Sequence, residues 1–136
     1  MDFVNKYLTN KSVVKNETPA TDYKSANSLE FRKKEASTVL AKYPDKIPVI
    51  CEIHKSSRRL ITLDHVKYLV SHQLTIGQFL ITMRKKVKMD ATQNLFLFSK
   101  HDTLFSTTQL LSEAYKENKD EDGFIYFTIS VQETFG

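Results

Sequence analysis

The residues of this 136-residue chain whose types could do chemistry are four histidines, one cysteine, an acidic run and a final glycine. His54, His65, His72 and His101 are scattered, and none stands at ligand spacing from another or beside Cys51. Neither a metal centre nor a cysteine–histidine pair is implied. Cys51 lies within an apolar run, where a lone thiol belongs to a core rather than to catalysis. Gly77, Gly123 and Gly136 are the three glycines, too few for a phosphate-cradling loop. Asp120-Glu121-Asp122 reads as a solvated acidic turn rather than a cation site. This inventory argues against an enzyme, and no cofactor is expected. Gly136 ends the chain, which by itself means little, because glycine makes up about 7% of residues in any protein.

Those residues have to be positioned by elements that the hydrophobic pattern outlines. The first 27 positions are polar and read as a flexible leader, with a short helix expected over residues 2–8, capped by Asp2 and carrying Phe3, Val4, Tyr7 and Leu8. Ser28 can cap a helix running to about Lys42, with Leu29, Ala36, Val39 and Tyr43 on one stripe and Arg32, Lys33 and Lys34 mostly off it. Pro44 ends it. Ile47-Pro-Val-Ile-Cys-Glu-Ile53 is apolar at nearly every position, which predicts a strand covered on both faces. Pro48 suits such a strand only near its start. A basic loop, Lys55 to Arg59, leads to a second strand at Lys67-Tyr68-Leu69-Val70.

Thr75-Ile-Gly-Gln78 is a capping box. It opens a helix with Ile76, Phe79, Leu80, Met83 and Val87 on one face and a basic last turn. A strand at Leu95–Phe98, a short helix near residues 108–115 and a final strand at residues 124–131 complete the order. Helix, strand pair, crossing helix and two further strands make an α+β chain with the order of a ubiquitin-like β-grasp: a four-stranded mixed sheet, with the extra N-terminal helix on its second face. The expected organisation is a leader (1–27), a ubiquitin-like domain (28–131) and a flexible tail (132–136).

Composition narrows the setting. The 20 Lys and Arg residues outnumber 16 Asp and Glu by a net +4, which permits acidic partners without selecting one. One cysteine fits a reducing compartment. No run approaches the roughly 20 apolar residues that span a bilayer. A nucleic-acid binder is disfavoured by the dispersed charge and the lack of a basic–aromatic platform.

The segment Lys42-Tyr-Pro-Asp-Lys-Ile-Pro-Val-Ile-Cys-Glu52 resembles the signature of the autophagy-related protein 8 family, the microtubule-associated protein light chain and GABA-receptor-associated protein type of ubiquitin-like modifier. The resemblance continues at Leu63-Asp64, Lys67–Val70, Leu74–Phe79, Arg84-Lys85, Leu95-Phe96, Lys119–Tyr126 and Gln132-Glu-Thr-Phe-Gly136, and covers residues 29–136. It implies conjugation of Gly136 to phosphatidylethanolamine by activating and conjugating enzymes, with a cysteine protease for processing and deconjugation. It implies a cytoplasmic protein that joins the autophagosome membrane when lipidated. The alternative is a module of the same fold that is unconjugated, or is joined to a protein.

The resemblance also implies that cargo receptors bind through short aromatic-x-x-aliphatic peptides, adding a strand to the exposed edge Lys67–Val70. The aromatic pocket would draw on Glu35, Val39, Pro48, Lys67, Leu69 and Phe124. The aliphatic pocket would draw on Tyr68, Val70, Leu74, Phe79 and Thr82. Lys46 and Lys67 would meet acidic residues flanking the motif. Ser71 stands where the family usually has proline and Thr82 where it usually has a large aliphatic residue, so the second pocket is expected to be shallower and more polar.

Overall fold

The structure, a computed structural model, describes residues 3–4, 22–87 and 89–133. In chain order the elements are β1 (Phe3–Val4), α1 (Tyr23–Ala26), α2 (Leu29–Lys42), β2 (Lys46–Ile53), β3 (Lys67–Ser71), α3 (Ile76–Val87), β4 (Gln93–Ser99), α4 (Leu111–Asn118) and β5 (Ile125–Glu133). The strands form one mixed sheet in the order β1-β3-β2-β5-β4. β2 runs parallel to β5 with Val49 opposite Ile125, and the other pairs are antiparallel. Four long strands and the crossing helices are the β-grasp expected from the element order. Pro48 faces Leu69 of β3, while β5 joins β2 one residue later. The proline thus sits where β2 has a single neighbour and a missing N–H is tolerated.

Local chemistry sets the helix starts. Ser28 Oγ accepts from Phe31 N at 3.1 Å and opens α2. The capping box forms as read, with Gln78 N donating to Thr75 Oγ1 at 3.1 Å and Thr75 N to Gln78 Oε1 at 2.9 Å. Ile76, Phe79, Met83 and Val87 are the buried face of α3. They join Val49, Cys51, Tyr68, Val70, Leu97, Phe127 and Ile129 in one continuous apolar core between α3 and the sheet. Burial pushes the Cys51 thiol well above its ordinary range, as befits a core residue.

The second face of the sheet is built differently. Two smaller clusters lie under α1 and α2: Tyr23, Ala36, Ile50, Phe124 and Tyr126 in one, Val39 and Leu69 in the other. Arg32, expected off the packed stripe, is buried; its Nη1 lies 2.7 Å from Asp122 Oδ2. The same Asp122 oxygen accepts from Tyr126 OH at 2.6 Å. Asp120 Oδ1 takes Lys24 Nζ at 2.6 Å and Lys100 Nζ at 2.8 Å. The acidic turn is therefore not solvated as expected: Asp120 and Asp122 are buried, because α1, α2, β5 and the turn after β4 bring them cationic or hydroxyl partners. Burial alone would raise the Asp120 carboxyl, but the two lysines hold it far below the usual carboxylate range. Gly123 makes the close approach possible. Its φ is 97°, and a Cβ there would come 2.9 Å from Ala36 Cβ.

The leader departs from expectation in two places. Asp22 Oδ1 accepts from Ser25 N at 2.8 Å and starts α1, so residues 22–27 belong to the folded unit rather than to a flexible leader. Tyr23, only 5% exposed, packs edge-on against Phe124 with ring centroids 5.8 Å apart, which anchors the turn. Phe3 and Val4 form a strand instead of the expected helix over 2–8. A lone helix that short is marginal, whereas a sheet edge offers an extended segment ready hydrogen-bond partners. The rest of that span lies outside the described residues, as does the end of the expected tail. β5 runs on to Glu133, past the expected end at 131.

Candidate functional site

β3 carries the candidate site because its residues alternate between the two faces of the sheet. Leu69 packs with Val39 under α2, while Tyr68 and Val70 belong to the core under α3. The strand thus divides the expected residues into two groups on opposite faces, each served by a different helix.

On the α2 face, α2 supplies Glu35 and Val39, β2 supplies Pro48, β3 supplies Lys67 and Leu69, and Phe124 precedes β5. All but Glu35 are buried. Lys67 was expected to reach solvent and meet acidic residues, yet its side chain is 1% exposed and its Nζ contacts Glu35 Oε1 at 2.5 Å. A buried ammonium requires such a carboxylate, and leaving it would strand both charges. Glu35 Oε1 also accepts from Tyr23 OH at 3.3 Å, and Lys67 Nζ lies 5.6 Å from the Tyr23 ring centroid. Burial, then the Glu35 charge, pushes the Tyr23 phenol upward, so it stays a donor.

Tyr23 is the residue sequence reasoning missed, having been assigned to the leader. Asp22 as a helix cap directly before it was the signal that could have found it. The Tyr23 amide donates to Glu52 Oε2 at 2.7 Å. Burial raises Glu52 even though this bond pulls the other way. Lys46 is half-buried at the start of β2.

On the α3 face, Tyr68, Val70 and Phe79 are buried, while Leu74 and Thr82 are partly exposed. Phe79 stacks tilted against Phe127 at 5.5 Å, so it is core rather than open pocket wall. Thr82 Oγ1 donates to Gln78 O at 3.2 Å, turning part of its polarity back onto the helix. Ser71 closes β3 opposite Lys46.

The outer side of β3, expected to be an exposed edge, is paired with β1. Among the described residues no group of histidine, cysteine or acidic side chains could hold a metal ion. No described helix is long and apolar enough to cross a membrane.

Comparison with known proteins agrees with this architecture. A family model described as "Autophagy protein Atg8 ubiquitin like" matches residues 31–136. Autophagy-related protein 8 of Mycosarcoma maydis is 46% identical over 115 residues, 84% of this chain and 95% of the relative. Autophagy-related protein 8a of Arabidopsis thaliana is 46% identical over 116 residues, covering 85% and 93% respectively. Among solved structures, Trypanosoma brucei ATG8 superposes with a TM-score of 0.77 at 38% identity, over 85% of this chain and 98% of that one.

Proposed function

Since the chain belongs to the Atg8 family of ubiquitin-like autophagy proteins, we propose that it is a lipid-conjugated modifier acting through the carboxylate of Gly136. The observation that carries this reading is the family match, which spans residues 31–136. In the proposed sequence ATP adenylates the carboxylate and releases pyrophosphate. An enzyme thiol then displaces AMP to form a thioester. After transfer to a second enzyme's cysteine, the amine of phosphatidylethanolamine attacks the acyl carbon, forming an amide and expelling the thiol. A glycine at the acyl end lets narrow enzyme clefts approach it without a side chain in the way. Gly136 lies outside the described residues. A cysteine protease would process and reverse the linkage. The protein would move between the cytoplasm and the autophagosome membrane, working as a binding surface and not as a catalyst.

The second half of the proposal is that the β3 edge recruits cargo receptors through aromatic-x-x-aliphatic peptides. Its support is that Leu69 packs with Val39 on the α2 face of the sheet while Tyr68 and Val70 pack with Phe79 and Leu74 on the α3 face. Main-chain bonds would supply affinity and the two groups specificity.

Incubation with activating enzyme, conjugating enzyme, ATP and phosphatidylethanolamine vesicles tests the conjugation, read by mass spectrometry of the intact protein. The expected product carries one lipid on Gly136 and is absent from Gly136→Leu. Lipidation that survives this substitution, or none in the wild type, overturns the reading.

A further inference from the structure

The edge of β3 that an incoming peptide would need already holds a strand of the same chain. Phe3 faces Val70 and Val4 faces Leu69, antiparallel, with β1 as the outermost strand of the sheet. An uncovered edge strand presents a row of unpaired N–H and C=O groups to solvent. β3 instead has every residue buried, with Lys67, Tyr68, Leu69 and Val70 at 0 or 1% exposure. We infer that the N-terminal strand Phe3–Val4 is the resident occupant of this edge, and that a receptor peptide binds only by displacing it.

The competition follows from geometry. A parallel peptide and an antiparallel β1 differ in bonding pattern, but both draw on the outward N–H and C=O groups of Leu69, since Val70 bonds inward to β2. One edge accepts one strand. Residues 5–21 link β1 to α1 covalently, and a tether of that length keeps its strand at an effective concentration on the order of millimolar. A two-residue strand makes few bonds, so the occupant is weakly held and can be exchanged. The device would set a threshold: weak peptides are refused and strong ones pass.

The competitive step rests on the proposed peptide-binding role of β3, while the occupancy does not, and two measurements separate them. The first compares amide hydrogen exchange in the wild-type chain and in Phe3→Pro/Val4→Pro, whose prolines remove the ladder donors of β1. Faster exchange at Leu69 in the variant is expected, with Val70, bonded to β2, as the internal control; unchanged exchange at Leu69 overturns the inference.

The second titrates both chains with a fluorescent peptide carrying an acidic run, a tryptophan, two spacers and a leucine. The variant is expected to bind about tenfold more tightly, which is one backbone hydrogen bond at the upper end of its net worth. Equal binding by the two chains overturns the competition. If exchange quickens but neither chain binds the peptide, the occupancy stands and the peptide-binding reading of β3 falls.

Discussion

The two faces of the sheet are held by different physics. Under α3 lies one apolar core that draws on every long strand and both later helices. Under α1 and α2 the apolar clusters are small, and between them run ion pairs with at least one buried member: Arg32 with Asp122, Lys67 with Glu35, and the more exposed Lys24 and Lys100 with Asp120. Apolar burial is additive and undirected, so the α3 face tolerates small shifts. Charge pairing in a low-dielectric setting is directional, and each partner is costly once the other leaves. The N-terminal helices are thus attached by interactions that specify one docking position, whereas the α3 face supplies most of the stability.

The contrast can be broken most severely from the apolar side. Phe127→Ala, which empties a site between Phe79 and Phe105, should cost about 3–5 kcal/mol in a denaturant titration. That loss should be nearly independent of pH and salt. Asp122→Ala strands the Arg32 guanidinium and the Tyr126 hydroxyl and should cost about 3 kcal/mol. Amide exchange should show its effect concentrated in α1 and α2, with α3 protected. Equal loss of protection on both faces would contradict the division.

The smallest effect is a pH dependence. Asp120 is depressed in the folded state, so its stabilisation is fully present above its unfolded value and is lost as the pH falls through the folded one. Wild type should therefore exceed Asp120→Asn in stability at neutral pH, with the gap closing below about pH 4. A gap that stayed constant into acid would remove Asp120 from the electrostatic account.

Elements were legible in the sequence where their cause is local. The capping box at Thr75–Gln78, the Ser28 cap and the apolar stripe of α3 are each decided within a few residues, and each forms as read. Conversely, Tyr23 was missed because four residues of helix in a polar stretch carry almost no periodic signal. The candidate site divides in the same way. The family resemblance named two groups of residues around Lys67–Val70 before any fold was known, but it could not reveal that Lys67 and Phe79 are covered.

By itself the sequence determined the element order from α2 onward, the family and the glycine to which conjugation chemistry is assigned, because periodicity, caps and motifs are short-range. Tertiary structure alone decided which charges lie inside and which edge is occupied. Arg32 and Asp122 stand 90 positions apart, and β1 reaches β3 from the far end of the chain. Whether a guanidinium is buried or a strand edge is open depends on what the fold brings against it, and no local pattern encodes that.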